Sequence, residues 1–313
     1  MIKTAFNLLS PSGKHGRLTI FIFHRVLPEK DPIFPDEPEA ARFDQMMEWV
    51  KSWFNVLPLD AAASALKAGS LPSRAAAITF DDGYADNYTV ALPILKKHEL
   101  SATFFIATGF LDGGRMWNDT VIESIRSTPY NEINLGFLQL GTQSVDNPEK
   151  KRHTIEKIIG KIKYLPVSER LAITEQLTEL SAVTPPTDLK KTSPQEIELH
   201  QAGMQIGAHT VSHPILAKQS ESEVADEIAG SRDFLVTLLK ERIGLFAYPN
   251  GRPGTDYLPE QTRLVSSLGF DAAVSTTYGA AKSTSDLFQL PRFTPWDRTK
   301  FRFAARLAKN FAQ

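Results

Sequence analysis

Two adjacent carboxylates and a pair of histidines are the residues of this sequence whose types and spacing suit metal binding and catalysis. Asp81 and Asp82 follow an apolar run and precede Gly83, which permits a turn that points the two carboxylates in different directions. His209 and His213 follow another apolar run, and one helical turn would bring both rings to one face. Two imidazoles and one carboxylate can hold a divalent metal and leave coordination positions open for water and substrate. Taken alone, Asp-Asp-Gly is more often a solvated turn, and such a histidine pair also arises by chance.

Further polar or aromatic residues stand at the ends of other apolar runs. His24 ends the first run, Tyr248 and Arg292 end two later ones, and Trp117 follows a fourth. Each of these residues alone is typical of a turn or of a buried structural side chain. An exposed tryptophan could stack on the face of a sugar ring, whereas a buried one would only pack.

Short apolar runs that alternate with helix-period segments must position these residues. The runs are near-continuously apolar, which is typical of parallel strands covered on both faces; they lie at 18–23, 75–80, 102–107, 204–208, 244–248, 270–275 and 288–293. Between them, Phe43, Met46, Met47, Val50 and Phe54 follow helical spacing. This alternation predicts an α/β sheet or barrel of strand–helix units, with the site at the carboxyl ends of the strands.

Residues 113–191 depart from the alternation and predict a mostly helical insertion. We therefore expect a single catalytic domain over residues 1–313 that contains this insertion. The N-terminal apolar stretches are too short or too interrupted for a signal sequence, which favours a cytoplasmic protein.

Composition excludes several classes of site. The 35 lysines and arginines balance 36 aspartates and glutamates, so no global field attracts nucleic acid. The absence of cysteine excludes disulfides and thiolate ligands, so that any metal site must use histidine and carboxylate. Neither a phosphate-binding G-x-x-x-x-G-K-[ST] loop nor a G-x-S-x-G nucleophile motif occurs.

In combination and in chain order, these motifs resemble the polysaccharide deacetylase family, carbohydrate esterase family 4. Residues 79–83 and 209–213 match its first two motifs, and the resemblance extends over about residues 24–296. It implies a distorted (β/α)7-type barrel and an enzyme that removes acetyl groups from sugars with a divalent metal ion. Zinc is the metal expected first, with cobalt, nickel or iron as alternatives, because all of them suit such a ligand set.

The resemblance also implies roles for individual residues. Asp81 resembles the catalytic base, while Asp82, His209 and His213 resemble the metal ligands. The arginine of the family's third motif is missing, so the sequence looks like the branch that contains poly-N-acetylglucosamine deacetylases. In that branch Arg292 would hold the base. The late motif that supplies the acid is also missing, and we expect His24 to replace it. A main-chain N–H near Tyr248 would stabilise the oxyanion. Independently of the resemblance, Trp117 is a candidate sugar-binding residue if it is exposed, and a packing residue if it is buried.

These implications predict a metal-dependent hydrolase that removes an N-acetyl group from an amino sugar or polysaccharide. The alternatives are a hydrolase of O-acetyl esters or of a formylated, lipid-linked sugar, and an inactive sugar-binding relative, against which the intact ligand set argues. Residues 298–313 form a basic, amphipathic segment that predicts either a peripheral membrane contact or a terminal helix packed on the barrel; its cations are Arg298, Lys300, Arg302, Arg306 and Lys309.

Overall fold

A nearly closed barrel of seven parallel strands forms the centre of the computed structural model, which describes residues 2–312. The strands lie side by side in the order β1 (Leu18–Phe23), β3 (Ala75–Phe80), β4 (Thr103–Ile106), β7 (Gln205–Ala208), β8 (Leu245–Ala247), β9 (Ala272–Tyr278) and β10 (Leu290–Arg292). The short strand β2 (Asn55–Val56) pairs with β3 outside this path. Phe293, the residue after β10, donates a main-chain hydrogen bond to Ile20 (2.7 Å) and accepts one from Ile22 (3.0 Å). These two bonds connect the last strand of the barrel to the first. The predicted distorted (β/α)7-type barrel is confirmed.

The apolar runs form these strands because both of their faces are covered. Every residue of β1 and β3 is buried, and each of the seven predicted runs contains or overlaps one strand. The helices that cover the barrel are α2 (Ala40–Trp53), α3 (Leu59–Ala68), α4 (Leu92–Lys97), α8 (Ser193–Gln201), α9 (Glu221–Leu239) and α10 (Pro259–Ser267). The predicted stripe of α2 is buried against the core.

Two terminal helices, α1 (Ile2–Leu9) and α11 (Lys300–Phe311), pack against each other and against the barrel. The rings of Phe6 and Phe311 meet at 5.4 Å between centroids. Across residues 2–312, each helix is too short or too polar to cross a lipid bilayer.

The chain between β4 and β7 forms a layer beside the mouth of the barrel. It contains α5 (Trp117–Ser127), a hairpin of β5 (Glu132–Asn134) and β6 (Thr142–Ser144), α6 (Pro148–Ile162) and α7 (Val167–Ser181). Its helices share an apolar core to which Val121, Ile158 and Leu177 contribute, and Ile33 from the loop after β1 joins it. The hairpin was not predicted, because three-residue strands are too short to show a pattern. The bounds 113–191 and the single-domain organisation stay a prediction.

Candidate metal centre and active-site cavity

The carboxylate of Asp82 lies against the rings of His209 and His213. Its Oδ1 atom is 3.3 Å from Nε2 of His209 and 3.4 Å from Nε2 of His213. One ligand atom from each residue lies within 4.8 Å of the other two. Oδ1 is buried and accepts no hydrogen bond of good geometry from residues 2–312. Because an unsatisfied buried oxygen is costly, this arrangement fits a cation bound between the three side chains.

The turn after β3 separates the two aspartates. Asp82 and Gly83 both adopt the left-handed conformation, with φ of 75° and 74°. A left-handed conformation costs a non-glycine residue about 1–2 kcal/mol, so contacts elsewhere must hold Asp82 in it. The turn that Gly83 was expected to permit thus begins at Asp82, and it directs Asp81 to one side and Asp82 to the histidines.

A loop, not a helical turn, brings the two histidines together. Thr210 and His213 have φ of 66° and 52°, and the chain bends between them. The carboxylate of Glu227, in α9, accepts hydrogen bonds from the main-chain N–H groups of Val211 and Ser212, both at 2.8 Å. The predicted helical turn is therefore wrong, because a distant side chain stabilises a bend that local spacing does not show.

Hydrogen bonding and burial set the proton states of the three side chains. Nδ1 of His209 lies 2.8 Å from the carbonyl oxygen of Ala247, a contact that leaves Nε2 directed at Asp82. Burial lowers the pKa of His213 to about 3, so this ring is neutral. Burial opposes ionisation of Asp82, but the neighbouring His209 and His213, together with His24 and Lys190, outweigh burial and hold the pKa of Asp82 well below its usual range. A carboxylate and a neutral imidazole are the states that bind metal.

The ring of His209 behaves differently. Burial opposes its protonation, but the carboxylates of Asp82 and Asp81 outweigh burial and raise its pKa. A proton therefore competes with a metal ion at this residue.

Asp81 forms a buried, bidentate ion pair with Arg292. The two nitrogen–oxygen distances are 2.8 and 2.7 Å, and the exposed fractions of the Arg292 and Asp81 side chains are 0% and 3%. Arg292 also donates from Nε to the carbonyl oxygen of Ser275 at 2.8 Å. Burial opposes ionisation of Asp81, but the guanidinium outweighs it and lowers the pKa of Asp81. Asp81 is thus an ionised carboxylate in a fixed orientation.

A cavity of about 300 Å³ opens above these residues at the carboxyl ends of the strands. Its floor contains Asp81, Asp82, His209 and His213, and exposed His24 lies at its edge. Two walls surround the floor: one is a face of α5, and the other is the loop that follows β1. Wall residues include Asn118, Asp119, Ile122, Glu123 and Arg126 from α5, and Arg25, Leu27, Asp31, Phe34 and Glu37 from the loop. The cavity therefore brings a candidate metal site, the ionised carboxylate of Asp81 and the imidazole of His24 together.

Comparison with known families shows to which one this chain belongs. The family model described as polysaccharide deacetylase matches residues 68–163 and 181–273, more than half of the 313 residues. The chain belongs to the polysaccharide deacetylase family. The matched parts of this deacetylase contain Asp81, Asp82, His209 and His213, whereas His24 and Arg292 lie outside them. The predicted enzyme class, a hydrolase that removes the acetyl group of an N-acetylated sugar, is confirmed with the family.

Curated relatives of the deacetylase differ in how much of it they match. YxkH of Bacillus subtilis, named as a polysaccharide deacetylase, is 22% identical over 281 residues, which cover 89% of this chain and 71% of YxkH. The poly-β-1,6-N-acetyl-D-glucosamine N-deacetylases of Staphylococcus aureus are 39% identical over 111 residues. That match covers 35% of this chain and only 38% of the length of the staphylococcal enzymes.

Solved structures share the fold of the deacetylase along nearly its whole length. Streptococcus pyogenes deacetylase PplD, in complex with acetate, gives a TM-score of 0.62 at 20% identity and covers 94% of this chain and 98% of its own. IcaB from Ammonifex degensii gives 0.59 at 18% identity and covers 97% and 99%. At these identities the likeness shows the fold alone.

Two predicted contact residues of the deacetylase do not reach the cavity. Tyr248 is buried and stacks on Tyr257 with 3.8 Å between ring centroids, while its N–H donates to Val274 at 3.3 Å. Trp117 packs on the core of the insertion, and the Arg170 guanidinium covers its ring at 5.1 Å.

Neighbouring asparagines line the cavity in their place. Asn118 follows Trp117 directly, and Asn250 lies two residues beyond Tyr248. The main-chain N–H of Asn250 donates a hydrogen bond to no acceptor among residues 2–312. Asn250 follows Tyr248-Pro249, just past the end of β8, and this position at a strand end is the sequence feature that could have indicated a cavity residue.

Proposed function

We propose that this protein is a metal-dependent deacetylase that hydrolyses the N-acetyl groups of a poly-N-acetylglucosamine chain. The observation that carries the metal site is the buried Oδ1 atom of Asp82, which lies between Nε2 of His209 and Nε2 of His213 without a hydrogen-bond donor among residues 2–312. Family membership supports the acetyl chemistry. The segment 39% identical to staphylococcal poly-β-1,6-N-acetyl-D-glucosamine N-deacetylases supports this glycan.

Asp82, His209 and His213 would hold the metal ion. When bound, the ion would polarise the acetyl carbonyl and lower the pKa of a bound water. Zinc is proposed first because two histidines and one carboxylate are a frequent catalytic zinc ligand set. Cobalt, nickel and iron accept the same donors.

The remaining residues would move protons and stabilise charge. Asp81, ionised and kept in orientation by Arg292, would take the proton of the attacking water. The main-chain N–H of Asn250 would donate to the carbonyl oxygen as negative charge develops on it. His24, at the cavity edge, would protonate the amine nitrogen as the C–N bond breaks. The products are acetate and a free amino sugar.

Acetate release from N-acetylglucosamine oligomers tests this function. The metal content of the wild type, of a His209→Ala, His213→Ala variant and of a His200→Ala control should be measured on the same samples. His200 faces Glu241 at the surface, 3.4 Å away, and lies outside the cavity. We expect metal and acetate release in the wild type and the control, and neither in the double variant. Metal-independent release would contradict the proposal.

The same assay separates the alternatives. Release only from an aryl acetate would favour an O-acetyl esterase, and release of formate from a formylated sugar would favour that substrate. Tight sugar binding without turnover, in protein that lacks metal, would favour the inactive relative.

The predicted peripheral membrane contact of residues 298–313 stays a proposal, as does the cytoplasmic location. Phe303, Leu307 and Phe311 pack against the core, whereas 81% of Phe301 is exposed beside basic residues; Gln313 lies outside the described residues. Flotation with anionic liposomes, compared between the wild type and Phe301→Ser, tests it. Equal and negligible binding would leave α11 as a packing helix only.

A further inference from the structure

The segment that returns from the insertion to the barrel lies directly behind the turn of Asp82. Leu189 accepts a main-chain hydrogen bond from Ala85 at 2.9 Å, and Lys191 donates one to Gly83 at 3.0 Å. Tyr84 and Lys190 thereby form an antiparallel bridge. The left-handed turn at Asp82 and Gly83 is thus fixed from behind by residues more than one hundred positions further along the chain.

The side chain of Lys190 continues this contact into the interior. Its exposed fraction is 1%, and Nζ lies 3.3 Å from the centroid of the Tyr84 ring and 3.3 Å from Oδ2 of Asp119. The hydroxyl of Tyr84 donates to the other oxygen of Asp119 at 2.7 Å. Among residues 2–312, neither Nζ of Lys190 nor Oδ2 of Asp119 has a hydrogen bond of good geometry.

Lys190, Tyr84 and Asp119 therefore connect both ends of the insertion to the turn that carries Asp82. Asp119 comes from α5, at the outgoing end, and Lys190 from the returning end. Burial lowers the pKa of Lys190, and the nearby carboxylates of Asp119 and Asp82 oppose that change. Lys190 does not line the cavity, so it acts on the reacting groups from behind, through Tyr84, Asp119 and the turn.

We propose that Lys190 is a positioning residue of the metal centre, which holds the Asp82–Gly83 turn through Tyr84 and Asp119 and so makes the insertion part of the site. This inference rests on the proposed metal-dependent function. Residues that orient metal ligands in this indirect way typically change metal affinity about 10–100-fold when they are replaced.

The adjacent residue provides a matched control. Lys191 is also fully buried, and its Nζ lies 3.2 Å from Oε2 of Glu196, which is equally buried. Its side chain lies over the ring of Phe104, in the core, 5.0 Å from the centroid. Lys190→Met and Lys191→Met thus each remove a buried ammonium group and leave a buried carboxylate behind. Both keep the main-chain hydrogen bonds to the turn, but only the first removes a side chain that contacts Tyr84 and Asp119.

Titration of Co²⁺ into metal-free protein, followed by its visible absorption, measures both affinity and ligand geometry. We expect Lys190→Met to weaken Co²⁺ affinity about 10–100-fold and to alter the absorption spectrum, whereas Lys191→Met keeps both as in the wild type. With N-acetylglucosamine oligomers, the Lys190 variant should lose kcat with little change in KM.

Thermal unfolding shows whether each variant is folded. If Lys190→Met does not fold, the double variant Lys190→Met, Asp119→Asn removes the uncompensated carboxylate and keeps an acceptor for Tyr84, and the same expectation applies to it. Wild-type affinity and spectrum in the Lys190 variant, or an equal loss in Lys191→Met, would overturn the inference. Failure of the wild type to bind Co²⁺ would instead refute the proposed function.

Discussion

Replacement of Arg292 by methionine is the strongest test of how Asp81 is held. The guanidinium makes two hydrogen bonds to Asp81, one to the Ser275 carbonyl and one to the Thr79 hydroxyl at 3.2 Å. Methionine removes the cation and all four hydrogen bonds, and it leaves the buried carboxyl group of Asp81 without its counter-charge.

The contacts of Arg292 indicate how much the free energy of unfolding should fall. Removal of one partner from a buried ion pair costs about 3–5 kcal/mol, because the other charge stays uncompensated. When Asp81→Asn is added, no charge is left. The Thr79 hydroxyl still donates to the Phe21 carbonyl oxygen at 2.8 Å. The main remaining loss is therefore the hydrogen bond that the Ser275 carbonyl oxygen accepts from Arg292. An unsatisfied buried polar group costs about 1–3 kcal/mol. We therefore expect the double variant to be more stable than Arg292→Met alone.

Urea unfolding and acetate release measure the two effects separately. Both variants should lose about 10²–10⁴-fold in kcat, because a general base loses its orientation or its charge. Arg306→Met is the matched control: it breaks a pair with buried Asp297 (2.6 Å), away from the cavity. It should lose stability but keep kcat. The reasoning is refuted if Arg292→Met keeps wild-type kcat, or if the double variant is no more stable than the single one.

Three further predictions concern the cavity and its walls. Asp81→Asn should keep its metal, measured by elemental analysis, and lose about 10²–10⁴-fold in turnover; full activity would exclude Asp81 as the base. Tyr248→Phe should leave acetate release unchanged, since the hydroxyl lies outside the cavity; a large loss would place Tyr248 in the site. Burial opposes ionisation of Asp31, but the contact with Arg126 and the main-chain N–H groups of Ile33 and Phe34 together outweigh burial and lower the pKa of Asp31. The pair therefore stabilises the fold above the unfolded pKa of about 3.9 and loses this effect as pH falls through the folded pKa. Asp31→Asn should lower the free energy of unfolding in urea at neutral pH but not in strong acid; an equal loss at both would contradict this assignment.

The strands and the meeting of Asp82 with the two histidines were predictable because each depends on a local pattern. Parallel strands covered on both faces are apolar almost throughout, as β1 and β3 show. The carboxyl ends of such strands meet at one mouth of the barrel, so that Asp82, His209 and His213 meet there.

The details that the sequence did not predict depend on contacts between distant residues. The bend between the histidines is held by Glu227, which lies on another helix. Tyr248 was expected at the site, but its ring stacks on Tyr257 in the core, and Asn250 takes the position at the cavity. Lys190 and Asp119 meet across the insertion, a distance at which neither residue type nor spacing gives a signal.

The order in which the barrel closes has a consequence for the newly made chain. Arg292 lies on β10, 211 residues after Asp81, and Phe293, the residue after β10, forms the hydrogen bonds to β1. Until this last strand docks, Asp81 lacks the guanidinium that binds both of its oxygens. Biosynthesis thus delivers Asp82, His209 and His213 long before the arginine that pairs with Asp81, and the proposed catalytic site is complete only when the ring of strands has closed.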